Sequence, residues 1–281
     1  MREIVGRYVK QVLDDDVPGL AAELAYRFMF ATFPFAIFVV ALSGFMASWL
    51  GMANPGDRII GAIGNSLPPD LIGSVTAQLD VLLAHTEPQL LSVGALVTLY
   101  AAVGGINTLM KAMNRAYGVP ETRPLLRRMA LAALLTVLGG VAVVVSFVAV
   151  VGGTLASERL IDEIGLSGVW PALSLLRWPA AFLLLVAAVA ALLRYAPNFR
   201  TPWRWAVAAA AAFAVVWLVV TYAFGLYVAR FATYDATYGA LAGVIVLMLW
   251  FYLTAFVLLC AAELAALLVR FRSPNSPARP D

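Results

Sequence analysis

Long apolar runs with almost no charge are the feature that most constrains the fold of this chain. Several of them reach about 20 residues, the length that a helix needs to cross the hydrocarbon core of a bilayer. Apolar residues make up 63% of the sequence and charged residues only 12%, which is well below the charge of typical soluble domains. Membrane β-strands would instead show short alternating segments. The sequence therefore predicts an all-α, polytopic membrane protein.

Six of these runs are predicted to be transmembrane helices. The last is longer than a bilayer requires, so it should tilt or extend beyond the membrane surface. Pro34 is predicted to kink the first span, because proline lacks an N–H and clashes with the preceding turn. Together the spans define a six-helix transmembrane domain over residues 23–270. The spans cover residues 24–50, 90–112, 128–152, 171–194, 204–228 and 239–269.

Amphipathic surface helices are predicted outside the spans. Residues 1–22 are expected to form a cytoplasmic interfacial helix and the entry to the first span, since their apolar side chains share one helical face. Asp15 or Asp16 can cap the helix that follows. Residues 67–84 and 155–165 are predicted to form short helices on the outer surface.

The distribution of basic residues predicts the orientation of the spans. Of the 19 Lys and Arg residues, fifteen lie near the two ends of the chain and in the loops after the second and fourth spans. Cytoplasmic loops carry such an excess of Lys and Arg. Both termini are therefore predicted to be cytoplasmic, and residues 271–281 are expected to form a disordered tail.

The sequence offers little for catalysis or for a metal site. Cys260 is the only cysteine and His85 the only histidine, which excludes an intramolecular disulfide, a Cys-based zinc site and His-pair catalysis. Asp14, Asp15 and Asp16 are adjacent and would point in different directions on a helix. The Walker A glycine loop of P-loop ATPases is absent from the sequence. We therefore expect no enzyme activity, no catalytic residues, no cofactor, no metal and no nucleic-acid partner.

Polar side chains are predicted to gather near the cytoplasmic ends of three spans. In the second span, Asn107, Lys111 and Asn114 recur at helical spacing on one face. In the sixth, Glu263 stands alone in a long apolar run. Polar groups at membrane depth are costly, so they face a bundle interior or a wet cavity. The predicted cluster consists of Glu23, Tyr26, Arg27, Asn107, Lys111, Asn114 and Glu263.

Three interpretations of this cluster stay open at the level of sequence. The first is structural pairing, for example of Lys111 with Glu263 or Glu23. The second is a lining for a substrate or ion path. The third is contact with lipid head groups without transport.

Arg177 is predicted to contact an anion or a lipid head group on the outer side. It lies near the outer end of the fourth span, and a guanidinium offers a bidentate fork to phosphate or carboxylate. The alternative is that Arg177 snorkels outward while Trp178 anchors the interface.

Small residues in several spans predict close approach between helices. They include Gly139 and Gly140 in the third span, Gly239 and Gly243 in the sixth, and the alanine-rich run over residues 206–212.

Several ordered motifs resemble those of one family of bacterial inner-membrane proteins. They are "AAELAYRFMFATFPF", "MKAMNRAYGVPETR", "RYAPNFRTPWRWA" and "TYGALAGVIVLMLWFYLTAFVLLCAAELAA". By these motifs the chain is identified as a member of the YihY/BrkB family (UPF0761), once labelled ribonuclease BN. The resemblance covers most of residues 10–269 and places Asn114, Asn198 and Glu263 at motif positions. It implies a six-span protein of the bacterial inner membrane and suggests movement of lipid-like substrates.

The sequence and the resemblance together predict a transport function. The chain is expected to move a lipid or another amphipathic or anionic substrate across the membrane without ATP hydrolysis, using a polar path and a kinked span. A small-solute or ion-coupled transporter and a non-transporting scaffold for partner proteins are the alternatives. Membrane lipids are the expected partners, and the substrate and the oligomeric state are undetermined by the sequence.

Overall fold

A computed structural model describes residues 2–32, 88–147, 170–231 and 240–272, and the regular structure in these ranges is entirely helical. The expectation of an all-α protein is thereby confirmed. The helices in the described ranges are α1 (Arg2–Asp14), α2 (residues 17–32), α3 (Pro88–Tyr117), α4 (Leu125–Phe147), α5 (Trp170–Tyr195), α6 (Trp203–Phe231) and α7 (Ala240–Arg272).

Within the described ranges, four helices are long and apolar enough to cross a membrane. Helix α3 also covers the second predicted span, and α2 covers the beginning of the first. The total of six spans therefore stays a prediction. The four apolar stretches are Leu125–Ala142 in α4, Leu175–Tyr195 in α5, Trp203–Arg230 in α6 and Gly243–Arg270 in α7.

Some sequence predictions fall outside the described residues. They concern the kink at Pro34, the outer helices at 67–84 and 155–165, and residues 273–281 of the predicted tail. Helix α7 continues through Arg272, so the first two residues of that tail are helical.

The chain divides into two compact units. One consists of residues 1–26 and 103–281, and the other of residues 27–102. The described part of the second unit is the helical residues 27–32 and 88–102. The helix packing and the polar network that follow lie within the first unit.

Small and aromatic side chains bring the membrane-crossing helices together. Helix α6 packs against both α5 and α7, α4 packs against α5, and α1 packs against α7. Trp217 on α6 donates a hydrogen bond from its indole Nε1 to Thr254 Oγ1 on α7, at 3.1 Å. The expectation of close packing along residues 206–212 is confirmed, because Ala206, Ala209 and Ala210 are fully buried.

The same expectation is wrong for three glycines. A Cβ atom added at Gly139, Gly140 or Gly243 would meet nothing within 4 Å. Their small size is therefore not needed for a packing contact with any of the residues that the structure describes. A spacing of small residues cannot show which face of a helix meets a neighbour.

The turn from α1 to α2 is capped by Asp16. This residue has a φ of 54°, and its carboxylate accepts a hydrogen bond from the Gly19 N–H at 3.3 Å. Satisfying a free N–H in the first turn is the role of an N-cap residue. The neighbouring Asp15 is buried and lies 3.6 Å from Arg115 Nε, so this turn is attached to the end of α3.

Candidate functional site

The segments rich in basic residues meet at one end of the first unit. Arg115, near the end of α3, donates to the carbonyl of Asp14 at 3.2 Å. Arg270, near the end of α7, donates to the carbonyl of Ala116 at 2.9 Å. These segments are among those that the basic-residue count places on one side of the membrane. The cytoplasmic identity of that side stays a prediction.

A glycine ends helix α3 and turns the chain toward α4. Gly118 has a φ of 64°, and its N–H bonds to the Arg115 carbonyl at 2.9 Å. The Val119 N–H bonds to the Asn114 carbonyl at 3.0 Å. This pair of hydrogen bonds is a Schellman motif, in which a left-handed glycine satisfies the last carbonyls of a helix. It fixes the direction in which residues 119–124 leave the helix.

Replacing Gly118 with alanine is expected to lower the free energy of unfolding by about 1 kcal/mol or more, because a Cβ is disfavoured at positive φ. Gly139→Ala is the matched control. It places a methyl group inside α4 where nothing lies within 4 Å, and it should stabilise the helix by roughly 0.5 to 1 kcal/mol. Thermal unfolding of both variants in detergent would measure the difference. Equal melting temperatures would contradict the assigned turn.

Two asparagines join the loop after α3 to the loop after α5. The Asn114 side chain is buried and accepts a hydrogen bond from the Asn198 backbone N–H at 2.6 Å. Its amide donates to Glu121 Oε2 at 2.8 Å. Asn198 in turn donates from Nδ2 to the Pro120 carbonyl at 2.9 Å and to Thr122 Oγ1 at 2.8 Å. These contacts, called the Asn114–Asn198 network below, fix the two loops against each other.

Two arginines strengthen the contact between these two loops. Arg123 donates to Glu121 Oε1 at 3.0 Å and to the Ala196 carbonyl at 2.9 Å. Arg194 donates to the Thr201 carbonyl, and its guanidinium lies 4.9 Å from the centroid of the Trp203 ring. Both guanidinium groups are therefore held by the protein itself.

A buried tyrosine at the end of α3 also contacts the loop after α5. Tyr117 stacks on Phe199, with ring centroids 5.5 Å apart, and its hydroxyl accepts a hydrogen bond from Thr201 Oγ1 at 2.8 Å. Tyr117 lies beyond the predicted second span, and burial raises the pKa of its hydroxyl to about 12. The hydroxyl is therefore neutral at physiological pH and serves as a structural hydrogen-bonding group.

A cavity of about 690 Å³ lies beside the joined loops. Four arginines line it, together with apolar side chains from the first turns of α4. No Asp or Glu is among its lining residues. We call it the basic cavity, and its characteristic lining residues are Arg123, Arg127, Arg194, Arg200, Leu131 and Leu134.

A second, smaller cavity of about 180 Å³ lies between α1, α6 and α7. Its lining is apolar apart from Tyr8 and Cys260. The Tyr8 hydroxyl donates to the Cys260 carbonyl at 2.8 Å and so attaches α1 to α7. Burial, followed by the influence of Cys260, raises the pKa of the Tyr8 hydroxyl, which stays protonated and able to donate.

The residues of the predicted polar cluster have different local surroundings in the structure, and their assignment to one cluster stays a prediction. Glu263 is only 1% exposed and is not among the lining residues of either cavity. Glu23 is half-buried and accepts a hydrogen bond from Thr108 Oγ1 at 3.3 Å. Asn107 donates within its own helix to the Val103 carbonyl at 3.0 Å, and Tyr26 and Arg27 are exposed.

The pairing of Lys111 with Glu263 or Glu23, an example of the first of the three interpretations, is not found in the part of the chain that the structure describes. The Lys111 side chain is exposed. Leu109 and Met113 are buried, and the helical repeat places Lys111 on the opposite face of α3. Sharing a face with Asn107 does not bring this lysine to the carboxylates.

Arg177 lies near the beginning of α5 and is partly exposed. Its guanidinium is 5.8 Å from the centroid of the Trp178 ring. Within the described ranges, its Nε and Nη1 atoms are buried without a hydrogen-bond acceptor. Contact with an outer anion stays a prediction for this residue.

Sequence reasoning missed the basic cavity. Its arginines were assigned only to the charge balance of cytoplasmic loops, since about 70 residues separate Arg123 and Arg127 from Arg194 and Arg200. The sequence did contain a signal for the contact between the two loops, because Asn114 and Asn198 lie at motif positions, one in each of the two basic segments. The described residues contain no group of three or more His, Cys, Asp or Glu side chains that could hold a metal ion.

Long apolar helices packed side by side, with basic loops gathered at one end, define a multi-pass α-helical membrane protein. Residues 8–281 match the family described as "Virulence factor BrkB". The chain belongs to this family, which confirms the resemblance found in its motifs. No solved structure matches the chain.

Relatives extend over nearly the whole chain. The putative ribonuclease-like protein YfkH of Bacillus subtilis (strain 168) is 30% identical over 272 residues, which cover 95% of this chain and 94% of YfkH. UPF0761 membrane proteins of Paraburkholderia xenovorans (strain LB400) and Aromatoleum aromaticum are each 27% identical to it, over 92% and 96% of this chain. The matched regions span only 58% and 64% of those two longer proteins.

Proposed function

We propose that this protein moves an amphipathic, anionic molecule such as a lipid across the bacterial inner membrane, without hydrolysing ATP and without enzyme activity. The basic cavity is the observation that carries the proposal. It combines arginines with leucines at the end of a helix that is apolar enough to cross a membrane. An amphipathic anion requires both kinds of surface, and binding sites of 300 to about 1,000 Å³ are typical for small molecules.

The position of the cavity also supports this function. It lies where α4 begins and α5 ends, next to loops that the Asn114–Asn198 network holds in place. Fixed loops preorganise a site, and preorganisation lowers the entropic cost of binding. A polar group that enters the cavity would reach the membrane-crossing helices without passing through their apolar middle.

Lipid movement can be tested directly in reconstituted vesicles. The purified full chain is inserted into liposomes that contain a fluorescent phosphatidylglycerol, and a membrane-impermeant reductant is added outside. We expect the reductant to remove fluorescence beyond the outer-leaflet fraction, because inner-leaflet lipid is carried outward. Empty liposomes and liposomes that hold an unrelated helical membrane protein are the controls.

Loss of the outer-leaflet fraction alone, with verified insertion of the protein, would contradict lipid translocation. The same preparation can be incubated with RNA, because one relative carries a ribonuclease-like name. Cleavage of that RNA would contradict the absence of enzyme activity and would support a nuclease instead.

A further inference from the structure

The four arginines of the basic cavity fall into two pairs. Arg123 is bonded to a carboxylate and a carbonyl, and Arg194 to a carbonyl and an aromatic face. Arg127 and Arg200 are exposed, and neither side chain makes a hydrogen bond or an ion pair with the part of the chain that the structure describes. The side chains of one pair are bonded to the protein, and those of the other pair line the same cavity without a partner among the described residues.

The charge of the cavity favours a doubly negative ligand. Glu121 is the acidic residue of the Asn114–Asn198 network, and its carboxylate is bonded to Arg123 and Asn114. The positive charges of Arg127 and Arg200 are therefore not compensated by a carboxylate in the cavity lining. Guanidinium groups form paired, charge-assisted hydrogen bonds to phosphate. A phosphate monoester carries close to two negative charges at neutral pH, which matches two free cations.

The apolar side of the cavity indicates what is attached to the phosphate. Leu131 and Leu134 follow Arg127 by four and seven positions in α4, so all three share one helical face. Leu134 is 53% exposed although it belongs to the apolar stretch Leu125–Ala142. A hydrophobic chain bound to the phosphate would cover this face and extend along α4 into the membrane.

Building on the translocation function proposed above, we propose that Arg127 and Arg200 form the phosphate-binding pair of a site for lipid phosphomonoesters. The phosphate lies between the two guanidinium groups, and the lipid chain lies along Leu131 and Leu134. Arg123 and Arg194 are positioning residues, which hold the loops that carry the binding pair.

Binding by the purified full chain in nonionic detergent tests this site, with microscale thermophoresis as the measurement. The probes are oleoyl lysophosphatidic acid, lysophosphatidylcholine of the same chain, and glycerol 3-phosphate. The first should bind at least about tenfold more tightly than the other two, since each lacks either the dianion or the chain. Arg127→Gln and Arg200→Gln should each weaken its binding by about tenfold.

Arg204→Gln is the matched control. Arg204 is also exposed and basic, lies on α6 with its guanidinium over the Trp205 ring at 5.0 Å, and does not line the cavity. Its replacement should leave binding unchanged. Melting temperatures of all three variants should match the wild type, because the changed side chains are exposed.

Three results would overturn the inference. If Arg127→Gln and Arg200→Gln both bind with wild-type affinity, these two arginines do not bind the phosphate. Equal binding of lysophosphatidylcholine would mean that the chain alone is recognised, and equal binding of glycerol 3-phosphate would make the ligand a soluble phosphate ester. The proposed function fails separately: selective binding without lipid movement in vesicles leaves the site intact, whereas unchanged movement in both glutamine variants removes the site from the transport path.

Discussion

Replacing Asn114 with leucine is expected to lower the free energy of unfolding by about 2 to 4 kcal/mol, because buried hydrogen-bonding groups lose their partner. The Asn198 N–H, 2.6 Å from Asn114 Oδ1, would lose its acceptor. Glu121 would keep Arg123 but lose the amide that now lies 2.8 Å from its Oε2. Leucine has the same number of side-chain heavy atoms as asparagine, but its two methyl groups are bulkier than the amide oxygen and nitrogen, so lost hydrogen bonds and slight overpacking act in the same direction. Thermal and denaturant unfolding in detergent, followed by tryptophan fluorescence, would measure the loss.

Asn107→Leu provides the control on the same helix. Asn107 donates only to the carbonyl one turn earlier, and its Oδ1 has no hydrogen-bond partner among the described residues. Removing a poorly satisfied polar group is close to neutral or stabilising. Equal destabilisation by the two substitutions would contradict the role assigned to the Asn114–Asn198 network.

Asn114 should also affect ligand binding in the basic cavity. Asn198 belongs to the network, Arg123 is bonded to its Glu121, and both residues line the basic cavity. Asn114 touches both Glu121 and Asn198 but does not line the cavity. Asn114→Leu should therefore weaken the binding of a lipid phosphomonoester, although the changed side chain does not contact the ligand.

The helices themselves were predictable from the sequence. Long uncharged runs leave few alternatives in a membrane, because each backbone N–H and C=O must be satisfied within its own segment. For that reason α5, α6 and α7 begin and end within a few residues of the predicted spans. Turn chemistry was readable as well, as Asp16 shows, since capping depends on local residue types.

The composition of the polar site was less predictable. Helical spacing correctly placed Asn107 and Lys111 near one face of α3, but it gave no information on which face is buried. The structure buries Asn114 and exposes Lys111. Burial depends on the neighbouring helices, and their rotation is not encoded in the spacing of a single helix.

The basic cavity required long-range information. Arg127 and Arg200 are 73 positions apart in the chain, and they line one space because two loops are joined through Asn114 and Asn198. Each arginine alone is an ordinary residue of a basic loop. Only the tertiary contact distinguishes a binding pair from a charge bias.

Truncating Glu263 to alanine is expected to lower the free energy of unfolding by about 2 to 5 kcal/mol, as for other large side chains removed from a core. The side chain is 1% exposed and lies in the C-terminal half of α7, where Ala262, Ala265 and Ala266 are buried as well. Thermal unfolding in detergent measures this loss. The result would establish that the carboxylate side chain fills space that its neighbours cannot occupy.

Glu263→Gln separates charge from volume. Glutamine keeps the shape of the side chain but replaces the carboxyl group with an amide, which should cost roughly 1 to 3 kcal/mol if the carboxyl group stabilises the fold. Helix α7 is bonded to α1 through Tyr8 and Cys260 and to α3 through Arg270 and Ala116, so a structural effect should loosen the contacts of α7 with both helices. Glu23→Gln is the matched control: Glu23 is half-buried and accepts a hydrogen bond from Thr108 Oγ1. Glutamine keeps an acceptor oxygen, so the replacement should cost less than about 1 kcal/mol. A Glu263→Gln variant with wild-type stability and slower lipid movement would contradict the structural role, because the charge would then be needed for transport and not for folding.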